Sequence, residues 1–519
     1  MKKWLAFVLV LAFMIVSVVG CGQQGEDTDN PANSGVNEDE PITISMALMG
    51  GPKTEDTWVE QELEKKLNVN FEFVMLPGWD DYKTKINLLI SDPDAMPDVI
   101  WFNDMEKEFQ QWVNAGLVVD MMPYLKEDSI NIIDYYNPET LFYSYQDGSM
   151  YKLPGDVAEA SCMTTMIRKD WLDNLGLDVP ETLDEYMAVL AAFTHDDPDQ
   201  NGKDDTYGLT GMSKDWRGFA PILYALNSQP HHFVITDDDK IKHGSVLPQT
   251  KEALKVLADA YADNIIDPTM LTLNEFGELL VQGKFGSCYY WITSFNPGDT
   301  NMRSFKANNQ DGEYIYIEPI KGPDGFSSDE PEDLGGWCHI AITKAAKDPE
   351  AVFKVLDQIA SPEIFKLWKF GEEGTHYEIV DGQYNPLIDT DEGPAVGLGL
   401  LEWYLNRKDE ANIINSPDVI ELFNKRAETS EALRDVRVRF KEQVRPMWAE
   451  YGADIEGLRD EIFYGIIAGN LPIDEFDKYV ERFYEMGGAE IEKEANEFYE
   501  KQADQETEFT EAYNNEIKP

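Results

Sequence analysis

Ile42-Thr43-Ile44-Ser45-Met46, Phe71-Glu72-Phe73-Val74-Met75 and Val99-Ile100-Trp101 are the three stretches that decide the fold. In the first, Ile42, Ile44 and Met46 alternate with Thr43 and Ser45, the period of a strand with one buried face. Val59, Leu63 and Leu67 then recur at helical spacing, and Tyr82, Ile86, Leu89 and Ile90 mark a second helix before the third strand. Strand, helix, strand, helix, strand with short links predicts a parallel sheet in an α/β lobe. Ligands of such sheets bind beyond the carboxyl ends of the strands, where Trp101, Phe102 and Asn103 fall.

Further along, Thr182 and Glu185 form a capping box for a helix running to about Thr194. Leu254, Leu257, Ala258 and Tyr261 give another helix, and residues 286–293 a short apolar strand carrying Tyr289, Tyr290 and Trp291. An α/β pattern then returns. Residues 314–317 and 338–342 read as strands, and Asp348-Pro349-Glu350 caps a helix with an apolar face of Val352, Val355, Leu356 and Ile359. Beyond Ser361-Pro362 the expectation is mostly helix, ending in the acidic stretch 488–508. No internal repeat is present.

The 519 residues suffice for two or three domains, and 43% hydrophobic with 12% aromatic residues excludes global disorder. The net charge of −55, from 98 acidic and 43 basic residues, argues against a nucleic-acid partner and against adsorption to anionic lipid. At the N-terminus Lys2 and Lys3 precede an apolar run over residues 4–19, short for a spanning helix. Val18-Val19-Gly20-Cys21 resembles the bacterial lipobox, which implies a signal peptide over residues 1–20, cleavage, and thioether lipidation of Cys21. A flexible spacer is expected over residues 21–41, which have almost nothing apolar to bury. The protein is therefore expected at the cell membrane, lipid-anchored with palmitate on the extracellular face, in contact with the bilayer through the anchor only. Cys162, Cys288 and Cys338 are too widely spaced for a zinc site and are read as buried thiols, with one disulfide left open.

The order of motifs along the chain resembles the extracellular solute-binding lipoproteins of bacterial ABC sugar importers, particularly the large Gram-positive type. Pro97-Asp98-Val99-Ile100, Tyr151-Lys152-Leu153-Pro154, the run from Arg168 to Leu177 with Pro180, the segment 344–361 and the stretch 371–378 carry the likeness, which spans residues 42–501. It implies a two-lobed periplasmic-binding-protein-like (type II) fold with a hinge and a helical C-terminal part. Lobe one is then expected over residues 42–155 and 312–362, lobe two over 156–311 and 363–519. It further implies a monomer that closes on an oligosaccharide, performs no chemistry and delivers the ligand to ABC transporter permease subunits.

A sugar cleft needs aromatic platforms and convergent hydrogen-bonding groups. Of 12 tryptophans, Trp58, Trp112 and Trp368 fall at apolar helical positions and read as packing residues. Trp79, Trp101, Trp216, Trp291 and Trp337 stand at segment ends or beside turns and are the candidate platforms, with Trp291 foremost. Asn103, Asp156 and Arg217 are candidate polar contacts. Asp197-Pro198-Asp199-Gln200-Asn201-Gly202-Lys203-Asp204-Asp205 matches the start of an EF-hand-like loop. Asp197, Asp199, Asn201 and Asp205 would offer side-chain oxygens to a structural calcium ion and Lys203 its carbonyl, although Gly208 stands where the closing Glu belongs. His376 is read as a turn or packing residue. No phosphate-binding loop, HExxH helix, GxSxG elbow or dinucleotide fingerprint occurs. The alternative function is a cell-surface carbohydrate-active lipoprotein, a glycosidase or lyase. A charged sugar acid as cargo would call on Lys152, Arg168 or Arg217.

Overall fold

The computed structural model describes residues 40–50, 56–78, 81–155, 163–272, 276–296, 299–329, 335–380, 382–388, 392–402, 404–405, 420–421, 424–425, 437–441 and 445–518. The signal, Cys21 and the spacer as far as residue 39, as well as Trp79, Asp156 and Cys162, lie outside them.

The alternating segment folds as its pattern dictates. Strand β1 (Ile42–Met49) runs parallel to β2 (Val69–Leu76), from Ile42 beside Val69 to Met49 beside Leu76. It also runs parallel to β3 (Val99–Phe102), meeting it at Met46 and Val99. Helix α1 (Trp58–Leu67) opens with a capping box in which Thr57 accepts from the Glu60 N–H while the Glu60 carboxylate reaches back to the cap. Helix α2 (Tyr82–Ser91) buries Tyr82, Ile86, Leu89 and Ile90. The sheet is mixed rather than wholly parallel, because the chain returns to it at His339–Ile342, antiparallel to β3 and to Leu153–Pro154. A second sheet of four strands is ordered Tyr314–Ile317, Met163–Arg168, Phe285–Trp291 and Tyr207–Thr210. Each sheet organises its own apolar core, so the fold is α/β with two lobes.

Two lobe boundaries differ from expectation. Tyr314–Ile317 pairs with Met163–Arg168, which places the segment from 312 through this strand with lobe two. The chain after Ser361 does not pass directly to lobe two. Ile364, Phe365, Trp368, Tyr377, Leu400 and Tyr404 pack into the first core, and the Tyr404 hydroxyl donates to the Ala47 carbonyl at 2.8 Å. That stretch is also not all helix, since Tyr377–Val380 and Gln383–Pro386 form a hairpin. His376 is buried there, its Nδ1 accepting from the Glu372 N–H at 2.9 Å, as a packing residue should. The C-terminal helix Gly488–Ala512 buries Ile491 and Ala495 in the second core and Phe509 in the first, so one element touches both lobes.

In lobe two His243 is fully buried. Its Nδ1 lies 2.6 Å from the Ser245 hydroxyl, which in turn meets the Tyr479 hydroxyl at 2.7 Å. Burial, reinforced by Arg459, His232 and Arg445, depresses its pKa to about 3. The unfolded chain takes up a proton near pH 6.5 and the folded chain does not, so stability present above that pH is lost as pH falls toward 3. Each pH unit in that window should remove about 1.4 kcal/mol through this group alone. Urea midpoints at pH 7 and 5.5 should therefore separate, and His243→Gln should narrow the gap; an unchanged gap would contradict the assignment.

Candidate ligand-binding cleft

A cavity of about 540 Å³ opens between the lobes. Asn103, Tyr143, Lys152, Trp337 and His339 form its lobe-one wall. His232, Arg437, Arg439, Lys441, Arg445 and Trp448 form the facing wall. A second cavity of about 320 Å³ adjoins it, sharing Glu106, Tyr143, Lys152 and Lys441 and adding Tyr145, Tyr151 and Lys501. Together they make a trough suited to an extended ligand.

The lobe-one wall grows from the end of β3. Asn103 follows that strand, and its carbonyl accepts from the Tyr82 hydroxyl at 2.6 Å. Its side-chain Oδ1 is buried with no hydrogen-bond partner among the described residues. Trp101, two residues earlier, lies in the core. It is fully buried, edge-on to Tyr82 at 5.6 Å and to Trp337 at 6.0 Å. Trp101 thus packs beneath the half-buried Trp337, whose ring lines the cavity. Gly335, two residues before Trp337, has a packing cause, because a Cβ there would come within 3.2 Å of the Tyr143 Cβ. His339 Nε2 lies 3.0 Å from Lys152 Nζ; burial and that ammonium hold the imidazole well below its usual pKa and therefore neutral. Its Nδ1 is buried without a partner among the described residues.

The facing wall rests on the segment Arg437–Lys441 and the start of helix Pro446–Ile467. The Arg445 guanidinium packs on the Phe440 ring at 3.7 Å and on Phe233 at 4.9 Å. Burial lowers its pKa to about 10, with Glu494 opposing, so it stays charged at neutral pH. Trp448 stands half-buried against His243 at 5.4 Å and supplies a second aromatic surface across from Trp337.

Three other expected contacts form a separate cluster in lobe two. Trp216 is buried, stacked on Tyr464 at 4.6 Å, and its indole N–H donates to Asp460 at 3.0 Å. It is a packing residue with a satisfied donor, not a platform. The Arg217 guanidinium pairs with Asp215 at 2.7 Å and lies 5.8 Å from the Trp291 ring. Neither Trp291 nor Arg217 lines the cavity described above. Arg168 is buried against Trp171 and paired with Asp170 at 2.6 Å, which makes it structural. Only Lys152, of the three cations considered for an acidic cargo, reaches the cleft.

In the acidic loop, Asp197 accepts from the Asn201 and Gly202 N–H groups, each at 3.0 Å. The Asn201 amide donates to Asp199 at 2.7 Å and to Asp205 at 3.1 Å. Asp199 is raised above the usual carboxylate range by burial and by its hydrogen bond with Asp197, so two carboxyls are held together. Lys284 pairs with Asp205 at 2.6 Å. Among the described residues no group of three or more His, Cys, Asp or Glu side chains is arranged as a metal site. The oxygen donors fit a hard cation by chemistry, with Lys284 competing for one of them.

Two lobes with separate sheets, enclosing a cleft lined from both sides by aromatic and polar side chains, define a ligand-capturing receptor. The chain belongs to the bacterial extracellular solute-binding protein family, whose model matches residues 50–364. It is 27% identical to Lipoprotein LipO of Bacillus subtilis (strain 168), over 96% of this chain and 98% of that one. It is 26% identical to the polygalacturonan/rhamnogalacturonan-binding protein YtcQ of the same organism, over 96% and 99%. Among solved structures, an EF-hand mutant of the Streptococcus pneumoniae ABC-transporter substrate-binding protein FusA in complex with fructo-nystose shares the fold. The TM-score is 0.68 at 19% identity, over 89% of this chain and 100% of that one.

Proposed function

We propose that this chain is a lipid-anchored receptor that captures an oligosaccharide by closing two lobes around it and presents it to an ABC transporter permease. The observation that carries this is the inter-lobe trough, with Trp337 and Trp448 on facing walls and buried polar atoms of Asn103 and His339 that have no partner among the described residues. Aromatic faces match the C–H faces of sugars, and unpaired buried polar atoms are costly unless a ligand meets them. Ligand contacts both walls only in the closed form, so binding shifts the population toward closure. The sugar ligands named for YtcQ and FusA support the choice of cargo. No observation favours the enzyme alternative. Titration with an oligosaccharide panel should give saturable quenching or enhancement of tryptophan fluorescence; a flat response across the panel would contradict the proposal.

The likeness to a protein named a lipoprotein supports Cys21 as the anchor. Cys21→Ala should release the protein into the medium with its sugar affinity unchanged; retention on the cells would argue against lipidation at this residue.

Calcium in the 197–205 loop is the second part of the proposal. Asp197, Asp199, Asn201, Asp205 and the Lys203 carbonyl would hold it, relieving the repulsion between the two adjoining carboxyls. At a hundredfold excess over its Kd, calcium should stabilise the folded chain by about 2.7 kcal/mol. Melting with and without chelator tests this, and identical curves would show that calcium does not bind the loop.

A further inference from the structure

Across the whole chain acidic residues outnumber basic ones 98 to 43, yet the inter-lobe cavity inverts that balance. Lys152, Arg437, Arg439, Lys441 and Arg445 line it, against Asp104, Glu106 and Glu456. Four of the five cations come from a single nine-residue stretch of one wall, and Lys152 faces them from the other lobe. Building on the receptor role proposed above, we infer that the cargo is an acidic oligosaccharide carrying uronic-acid carboxylates on more than one of its sugars.

The buried polar atoms specify the chemistry further. Arg445 is only 4% exposed, and its Nε has no hydrogen-bond partner among the described residues. His339 is 5% exposed with Nδ1 in the same condition. Its Nε2 faces the Lys152 ammonium and serves as acceptor, which leaves the ring proton on Nδ1 as a donor. Burying a guanidinium is costly unless an anion or a set of acceptors meets it. A carboxylate returns that cost through charge-assisted hydrogen bonds, and a neutral sugar returns much less. Asn103 Oδ1 calls for the opposite partner, a hydroxyl donor. A uronate supplies both, because its charge sits on the exocyclic carbon and leaves the ring hydroxyls free; a sulfate ester consumes a hydroxyl to gain its charge. Lys152 and Lys441 also line the adjoining cavity, where Lys501 joins them, so the positive lining continues along the trough. A ligand charged at one end would meet only part of that lining.

Calorimetric titration of the full-length mature protein with a panel of uronic-acid oligosaccharides tests the inference. The two controls are the same oligosaccharides with carboxyls reduced to primary alcohols, and sulfated disaccharides. We expect one uronate series to bind at least ~30-fold more tightly than its reduced counterpart, the scale of losing one partner of a desolvated charge pair. Arg439→Gln and Lys441→Gln should each shrink that ratio. Equal or tighter binding of the reduced counterpart would overturn the inference and leave the sugar receptor standing. Tighter binding of the sulfated sugars than of any uronate would overturn the carboxylate assignment. Failure of every sugar, charged or neutral, would overturn the receptor role itself.

Discussion

Trp337→Ala should weaken oligosaccharide binding about 100-fold, the scale of removing a central aromatic anchor from a ligand site. Trp337 is the half-buried ring of the lobe-one wall, held edge-on at 6.0 Å by the fully buried Trp101 beneath it. The support is rigid, so the ring faces a sugar without first losing rotamer freedom. Trp337→Phe keeps a smaller face in the same place and should lose less. Trp216→Phe is the contrasting change. It removes the donor to Asp460 from the lobe-two core and should lower stability while leaving affinity alone, because Trp216 does not line the cavity. Titration and thermal melting of the three variants check the set. Unchanged affinity in Trp337→Ala would remove that residue from the site.

The largest stability effect is expected at Asp357. This buried carboxylate, on helix Pro349–Ile359, accepts from the Ser129 hydroxyl at 2.9 Å and from the N–H groups of Ile130, Asn131 and Ile132 at 2.9 to 3.0 Å. The Asn131 side-chain amide adds a further bond at 3.0 Å. One acidic group thus satisfies the N–H donors at the start of helix Asn131–Tyr135 and ties that helix to the lobe-one core. Asp357→Ala leaves those donors buried and unmet, and should cost about 3 kcal/mol or more. Asp357→Asn keeps one acceptor and should cost less. Urea unfolding measures both, and a loss under 1 kcal/mol for the alanine variant would contradict this role. Because each lobe has its own core, the loss should fall on a lobe-one transition if the two separate.

Local pattern carried the first lobe. Alternation in Ile42–Met49 and the 3.6-residue period of α1 and α2 are set by neighbours in sequence, so they were legible. The capping box at Thr182 and the proline-led helix after Asp348 were legible for the same reason. Lobe membership was not, since it depends on which sheet a strand joins. Tyr314–Ile317 looks like any short strand until it pairs with Met163–Arg168, more than a hundred residues earlier. The role of Asp357 was hidden likewise, its partners lying over two hundred residues away.

At the cleft, the end of β3 led to Asn103 and Gly335-Gly336 to Trp337, both of which line the cavity. Trp101 misled because β3 is covered on both faces, so a ring near its end is buried whichever way it points. Trp448 was passed over because nothing local separates a helical tryptophan facing a cleft from one facing a core. The facing wall did leave a signal. Arg437, Arg439 and Lys441 alternate with Val438 and Phe440, a run of cations in a strongly acidic chain. A segment that reverses the charge of the whole molecule marks where an anion is to be met.

Native mass spectrometry of the mature protein incubated with acidic and neutral oligosaccharides tests the central claim most directly. A monomer carrying one intact oligosaccharide is expected, with the complex unchanged over hours and no shorter sugar appearing. Shortened or unsaturated products, or no adduct with any oligosaccharide, would contradict it.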